Sequence, residues 1–198
     1  MMRYIERENF EFFSRQRLLF EMHNEMQGTT HRQYSLNEIF VAEENVSQTS
    51  VFRLKVDGDF VGKFKSSGLI IATGTGSTGW LYSAKRFTEI DVKRALANLG
   101  AHDEPEQVAQ HIAQTLSDQT IFGPDSDSMY YYVREGCRSK GDFVDHAQGY
   151  ARNLEFTSEL INGKISIDGL QSHELSLGDV FAVESAPEHK LKGVRFIV

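Results

Sequence analysis

The sequence has few cysteines and no long apolar run. One cysteine, Cys137, and one tryptophan, Trp80, occur among its 198 residues, together with only three prolines. A single cysteine excludes an intramolecular disulfide and fits a reducing compartment, and no motif places a catalytic partner beside it. No stretch approaches the roughly 20 consecutive apolar residues of a membrane-spanning helix. We therefore expect an idle cysteine and no membrane association.

Positive charge and clustered metal-binding residues are scarce as well. The chain has 21 Lys and Arg against 28 Asp and Glu, a net charge of −7. Because nucleic-acid binding needs a basic surface, we expect no nucleic-acid partner. The seven histidines form no HxxxH pair, so we predict no metal ligands on this chain. The GxSxG turn of esterases and the GK[ST] of a Walker A loop are also missing from the sequence.

The N-terminal half before the central loop has mostly strand signals. Residues 51–56 alternate apolar and polar side chains, as a half-buried strand does. The sequence Asp57-Gly58-Asp59 predicts a hairpin turn that leads into a second strand over 60–65. The polar segment Gln27–Gln33 lacks apolar periodicity, and we predict a loop there.

Helical signals follow the central loop, and strand signals then return. Residues 91–99 and 104–116 have apolar side chains at helical spacing, and strand-forming segments resume at Met129. The order of strands, a helical pair and strands indicates an α+β fold that is mainly β. We predict one domain over 1–198, with a helical insertion at about 83–118.

A segment rich in glycine, threonine and serine stands at the centre of the sequence, within Gly68–Ala84. Four aliphatic or small residues, 69–72, predict a buried strand, and Thr73–Gly79 contains only Gly, Thr and Ser. Such a segment supplies no apolar area, but it offers backbone N–H groups and hydroxyls to an anionic ligand. Trp80 follows and can stack on a base. We predict a phosphate-binding loop at Gly74, Gly76 and Ser77.

The same loop formally satisfies the GxGxxG pattern of dinucleotide-binding Rossmann folds. That pattern requires a second parallel strand within about 30 residues, ending in an acidic residue that binds the ribose. The residues after the loop have helical spacing instead, and Glu89 and Asp91 do not end an apolar strand. We therefore do not predict a Rossmann fold.

Two stretches together resemble the C-terminal domain of NAD kinases. That family has Asn-Glu at the start of a strand and, further along the chain, DGLxxxTPTGSTAYxxSAGG; the matching pieces in this sequence are Leu36-Asn37-Glu38-Ile39 and Gly68–Ala84. Gly74 replaces the family's proline, Trp80 replaces its tyrosine and Ser67 stands where an aspartate is usual. These departures resemble the mitochondrial branch of the family more than the bacterial or cytosolic one.

The resemblance implies a β-sandwich-like domain with a bound dinucleotide. Asn37 and Glu38 would hydrogen-bond the ribose hydroxyls and the adenine edge of NAD, as amide and carboxylate groups can. Ser67 is not assigned the contact that the family's aspartate makes. The implied NAD-binding residues are Asn37, Glu38, Thr75, Thr78, Gly79, Trp80 and Ser83.

The family's reaction transfers the γ-phosphate of ATP to the adenosine 2′-hydroxyl of NAD and gives NADP. Its ATP site and catalytic aspartate belong to a GGDGT motif in an N-terminal domain, and ATP acts with Mg²⁺. No GGDGT occurs in the 198 residues. We therefore expect the N-terminal domain to be absent from this chain, no catalytic residue on it, and no kinase activity from it alone.

An alternative from a different class is a non-catalytic NAD- or nucleotide-binding module. The resemblance also implies a homodimer and a mitochondrial location, with a cytoplasmic location as the alternative. These implications follow from the family and not from any targeting or interface signal in the residues.

Overall fold

A computed structural model describes residues 10–24, 29–100, 106–136 and 146–196, and β-strands are its main secondary structure. The strands are β1 (Phe10–Arg15), β2 (Leu18–Asn24), β3 (Thr29–Ser35), β4 (Glu38–Glu43), β5 (Ser50–Val56), β6 (Asp59–Ser66), β7 (Gly68–Ala72), β8 (Met129–Arg134), β9 (Gln148–Ala151), β10 (Asn153–Ser158), β11 (Gly163–Ile167), β12 (Gln171–Leu175), β13 (Val180–Glu184) and β14 (Leu191–Phe196). The α-helices are α1 (Trp80–Lys85), α2 (Glu89–Asn98) and α3 (Glu106–Asp118). The prediction of a mainly β fold is confirmed.

The strands form two six-stranded antiparallel sheets and a separate ribbon. The first sheet has the order β3-β2-β13-β10-β5-β6, the second has the order β12-β11-β4-β7-β8-β9, and β1 pairs with β14. The predicted hairpin at Asp57-Gly58-Asp59 joins β5 and β6. Asp57 and Gly58 take positive φ angles of 50° and 94°, as this tight turn requires.

The main core lies between the two sheets. Alternate side chains of each strand face inward, and one cluster joins Phe20, Phe52 and Phe156 of the first sheet to Ile39 and Ile71 of the second. The aromatic rings of Phe52 and Phe156 stack with centroids 4.9 Å apart. This shared apolar layer makes the domain a β-sandwich.

Strand β7 is buried on both faces, which explains its unbroken apolar sequence. Its second face packs under α1: Ile70 and Ala72 share a smaller cluster with Leu81 and Tyr130. Both neighbours of β7, β4 and β8, run antiparallel to it. The antiparallel neighbours exclude a Rossmann βαβ unit around the GxGxxG pattern, as the context of the motif predicted.

The predicted helical pair is formed by α2 and α3. A capping box begins α2, because the Thr88 side chain accepts from the Asp91 N–H while the Asp91 carboxylate accepts from the Thr88 N–H. Val92 packs against Ala109 and Ala113 of α3. The six-residue α1 precedes the pair, so helices are found from residue 80 to residue 118. None of the described helices has the length and apolarity needed to cross a membrane.

One predicted loop is wrong. Residues 29–35, within the predicted polar loop Gln27–Gln33 and its flank, form strand β3, which pairs with β2 along its whole length. The strand is at the edge of its sheet and leaves most of its side chains in solvent, so it has no apolar alternation to detect. Cys137 lies outside the described residues.

Candidate functional site

The first predicted motif, Asn37-Glu38, lies where the sharp connection after β3 enters β4: Asn37 ends the connection and Glu38 begins the strand. One carboxylate, that of Asp168 in the β11–β12 turn, holds this connection. It accepts hydrogen bonds from the backbone N–H groups of Leu36 (2.8 Å), Asn37 (2.7 Å) and Glu38 (3.2 Å). It also accepts one from the Ser35 hydroxyl (2.7 Å). The backbone at Asn37 is therefore fixed from a distant part of the chain.

The Gly/Thr/Ser loop is attached directly to the same connection. The N–H of Thr73 donates to the Asn37 carbonyl (2.9 Å), and the buried Thr73 hydroxyl donates to the Leu36 carbonyl (2.6 Å). Gly76 touches the same backbone, since a Cβ on Gly76 would lie 2.2 Å from the Asn37 carbonyl oxygen. The two predicted motifs, distant in sequence, thus form one continuous surface.

Hydrogen bonds inside the loop explain its remaining small residues. The Ser77 hydroxyl is buried, donates to the Gly74 carbonyl (2.7 Å) and accepts from the Phe122 N–H (3.3 Å). The Gly76 N–H donates to the Thr73 hydroxyl (3.1 Å). A Cβ on Gly74 would lie 1.9 Å from the Gly123 carbonyl oxygen. These contacts give the three predicted phosphate-loop residues a role in shaping the loop, and their contact with phosphate stays a prediction.

Solvent reaches the loop along one strip that continues into α1. Thr78, Gly79, Trp80 and Ser83 are exposed, and Thr75 is half-buried. The Thr75 hydroxyl accepts a hydrogen bond from Arg15 Nη1 at 3.1 Å. Arg15 has no carboxylate partner among the described residues. A cation therefore lies beside the loop, a feature that sequence reasoning missed.

Trp80 and Glu38 share the outer face of the second sheet. Glu38 and Phe40 are two residues apart on β4 and point to the same face. The Trp80 ring packs on Phe40 with centroids 4.3 Å apart and keeps 40% of its surface exposed. An exposed indole on the same face of a sheet as a carboxylate can stack on a planar base while polar groups bind its sugar.

The electrostatics of the site centre on Glu38. Partial burial raises the pKa of the Glu38 carboxyl above its ordinary value, and the negative charge of Asp168 raises that pKa further. At the far end of α1, burial lowers the pKa of Lys85, whose ammonium donates to the Tyr130 hydroxyl and lies over its ring. Lys85 thereby anchors α1 to β8.

Ser67, which replaces the usual aspartate of the family, lies away from the loop. Ser67 precedes β7, at the opposite end of that strand from the loop, and its hydroxyl donates to the Arg134 carbonyl (3.3 Å). Within the described ranges no three His, Cys, Asp or Glu side chains come together as a metal site would require. The candidate site therefore consists of Asn37, Glu38, the loop and α1, and the described part of the chain holds no metal-binding cluster.

Comparison with known proteins identifies the segment that carries these residues. Residues 36–86 match the family of the ATP-NAD kinase C-terminal domain, and that range contains every predicted site residue. The mitochondrial NAD kinase 2 of Xenopus tropicalis is 23% identical over 202 residues, covering 85% of this chain and 47% of that protein. The chain is similar to the C-terminal part of NAD kinases. The predicted resemblance, including that to the mitochondrial branch, is confirmed.

Bacterial relatives match over a shorter range, and solved structures match over nearly the whole fold. The NAD kinase of Clostridium tetani is 32% identical over 74 residues, covering 37% of this chain and 27% of that protein. A yeast NADH kinase complexed with NADH superposes with a TM-score of 0.67 at 16% identity, covering 98% of this chain and 47% of that one. An NAD kinase from Archaeoglobus fulgidus in complex with ATP gives a TM-score of 0.57 at 19% identity, with 98% and 58% covered. The fold is shared with these kinases, and this chain spans about half the length of the curated NAD kinase 2 relatives it matches.

Proposed function

We propose that this chain is the NAD-binding half of an NAD kinase, which uses ATP to phosphorylate the adenosine 2′-hydroxyl of NAD and forms NADP. The observation that carries the proposal is the attachment of the loop to Asn37 through Thr73 and Gly76. It joins the two family motifs into one surface. The similarity to kinases of NAD and NADH supports a dinucleotide as the ligand.

The exposed groups of the site suit the parts of NAD. The Asn37 amide donates and accepts, and the Glu38 carboxylate accepts, so together they can hold ribose hydroxyls and an adenine edge. Trp80 offers an aromatic face on which the adenine can stack. Thr75, Thr78, Gly79 and Ser83 would supply the remaining contacts with NAD. Arg15 adds a positive charge beside Thr75.

The chemistry of phosphoryl transfer requires more than this surface. Transfer depends on positioning of the γ-phosphate and on charge neutralisation by metal and cationic donors. We propose that ATP and Mg²⁺ are held by a GGDGT-containing domain and that residues 1–198 act as the partner domain that presents NAD. No residue of this chain is assigned a catalytic step.

Calorimetry tests the binding part of the proposal. NAD should bind the wild-type chain, and the double variant Asn37→Ala, Glu38→Ala should lose about ten-fold or more in affinity, because several hydrogen bonds to the ribose disappear. A matched control is Asn45→Ala, Glu44→Ala, two exposed residues after β4. Unchanged NAD affinity in the Asn37, Glu38 variant would contradict the assignment of those residues.

A kinase assay tests whether phosphoryl transfer requires a domain that this chain lacks. With ATP, Mg²⁺ and NAD, the purified 198-residue chain should form no NADP, since it lacks the GGDGT motif. NADP formation at a rate typical of kinases would overturn that expectation.

The lack of GGDGT in these residues also favours a second candidate, a non-catalytic NAD-binding module. The two candidates separate on whether the source gene encodes GGDGT upstream of Met1. We further propose a homodimer, as the family resemblance implies, and a mitochondrial location, which the similarity to mitochondrial relatives supports. Light scattering and fractionation test these two points.

A further inference from the structure

Asp168 contacts the NAD-binding candidates from outside the family-matched segment. It lies in the β11–β12 turn, beyond the matched residues 36–86. Its carboxylate accepts hydrogen bonds from the backbone N–H groups of three consecutive residues, Leu36 to Glu38. The backbone N–H of Asp168 donates to the Glu38 carbonyl (2.9 Å). The connection that carries Asn37 and Glu38 is thus held from both its donor and its acceptor side.

The same local structure occurs a second time in the fold, around Asp57. Asp57 and Asp168 take φ angles of 50° and 51°, and a glycine of positive φ follows each. The Asp57 N–H donates to the Asn153 carbonyl (2.9 Å), and its carboxylate accepts from the N–H groups of Arg152 (2.9 Å) and Asn153 (2.8 Å). The described part of the chain therefore contains two Asp-Gly clamps, at Asp57 and Asp168, with the same arrangement of hydrogen bonds.

The two clamps differ in what they hold. Asp57 fixes the short link between β9 and β10, which contains no candidate site residue. Asp168 fixes Asn37 and Glu38, and it accepts an additional hydrogen bond from the Ser35 hydroxyl. A turn with only a structural role would need no more hydrogen bonds than Asp57 makes. The contacts that Asp168 makes in addition are those with the Leu36 N–H and the Ser35 hydroxyl.

We propose that Asp168 is a positioning residue of the dinucleotide site, holding Asn37 and Glu38 in place and placing a negative charge beside the Glu38 carboxylate. The inference rests on the proposed NAD-binding function. Asp168 touches no reacting group itself and acts through the two residues that it orients.

The charge has a measurable consequence for Glu38. Among the described residues, Asp168 on the β11–β12 turn and Ala72 on β7 lie next to or opposite Glu38, and Phe40 follows on the same face of β4. Asp168 is the ionised neighbour in this set. Burial and this neighbour together raise the pKa of Glu38. Because an ionised Glu38 accepts hydrogen bonds from ribose hydroxyls, NAD affinity should rise with pH as Glu38 ionises. Removing the Asp168 charge should lower the pKa of Glu38 and move that rise to lower pH.

The experiment compares Asp168→Asn with Asp57→Asn in the full 198-residue chain. Both variants replace one acceptor oxygen of a clamp, so both should lower the thermal unfolding temperature. Only Asp168→Asn should also weaken NAD binding, by about ten-fold in affinity near neutral pH, because Asn37 and Glu38 lose their orientation. Equal NAD affinity in the two variants overturns the inference, whereas a wild-type chain that does not bind NAD overturns the proposed function instead.

The pH profile separates positioning from a general loss of stability. The midpoint of the rise in NAD affinity should move to lower pH in Asp168→Asn and stay in place in Asp57→Asn, and Glu38→Gln should abolish the rise. If Asp168→Asn does not fold, Asp168→Glu replaces it. That variant keeps the charge and displaces the clamp, so it should lose affinity with little movement of the midpoint. An unchanged affinity in Asp168→Glu, or an unmoved midpoint in a folded Asp168→Asn, contradicts the inference.

Discussion

At the scale of single residues, the glycines of the loop are explained by close approach to neighbouring backbone. Gly76 has no room for a methyl group against the Asn37 carbonyl, and Gly74 has none against Gly123. Their composition marked the loop as unusual in the sequence, because a run without apolar side chains cannot be core. The contacts themselves depend on residues more than 35 positions away, which composition does not reveal.

Gly76→Ala should therefore destabilise the protein and weaken NAD binding together. The added Cβ would meet a backbone carbonyl that cannot move without shifting Asn37, so we expect a cost of about 1–3 kcal/mol in unfolding free energy. Denaturant unfolding and NAD calorimetry measure the two effects. Gly136→Ala is the matched control, because its Cβ would lie an ordinary 3.6 Å from a Val133 methyl. Equal stability of the two variants would show that the close approach is relieved without cost.

At the scale of elements, the site is the meeting of the start of β4 with the end of β7. Thr73 makes this junction, since its N–H and hydroxyl bind the carbonyls of Asn37 and Leu36 while its hydroxyl accepts from Gly76. The two elements are neighbours in one sheet, with Glu38 opposite Ala72. A side chain at the end of β7 can therefore set the position of the residue that precedes β4.

Thr73→Val tests this junction with a side chain of nearly the same shape. Loss of the buried hydroxyl leaves the Gly76 N–H and the Leu36 carbonyl without that partner, so we expect a loss of about 1–3 kcal/mol in unfolding free energy. Thr78→Val is the control, because the Thr78 hydroxyl is exposed and makes only a long contact of 3.4 Å to the Thr75 carbonyl. The junction has no such role if both variants unfold at the wild-type denaturant concentration.

The predicted and observed strands agree where the side chains carry a pattern of burial. β7 was predicted because it is buried on both faces and its apolar run is continuous. β5, β6 and their turn were predicted from period-two alternation and Asp-Gly. β3 was missed, since an exposed edge strand is held by backbone pairing with β2 and needs no apolar side chains.

At the scale of the whole molecule, two edge strands meet through a pair of histidines. His31 of β3, in the first sheet, lies 5.3 Å from His173 of β12, in the second sheet, measured between ring centroids. His173 also packs on Phe20 and approaches the Gln33 side chain. Burial lowers the pKa of His173 below its ordinary value, and the positive charge of His31 lowers it further.

This pair predicts a loss of stability on acidification. The unfolded chain binds a proton at His173 near the ordinary pKa of about 6.5, whereas the folded chain resists protonation until lower pH. The unfolded state therefore binds more protons in that window, and the contribution of His173 to stability falls as pH drops from about 6.5. Unfolding temperatures measured from pH 8 to pH 5 should show a smaller drop in His173→Gln than in wild type. His23→Gln, an exposed histidine of β2, should keep the wild-type drop, and an identical drop in all three proteins would contradict the assignment to His173.

Some residues of the candidate site could be recognised from local sequence patterns, and others depend on the arrangement of the whole sheet. Asn37, Glu38 and the loop were found because each has a recognisable local pattern, and the fold does bring them together. In the sequence, Asp168 is the first residue of an Asp-Gly pair, which does not reveal the backbone that it contacts. Its function as a clamp depends on sheet order, which places β11 beside β4 although about 130 residues separate Asp168 from Asn37 in the chain.

Trp80 fluorescence during titration with NAD shows whether the surface formed by Asn37, Glu38, the loop and α1 binds the dinucleotide. Trp80 is the only tryptophan in the sequence, is exposed, and packs on Phe40, which shares the outer face of β4 with Glu38. We expect NAD to quench the wild-type chain saturably, and we expect the Asn37→Ala, Glu38→Ala variant to need about ten-fold or more NAD for the same quenching. NAD binding detected by calorimetry without any change in Trp80 fluorescence, or identical titrations of the two proteins, would contradict this expectation.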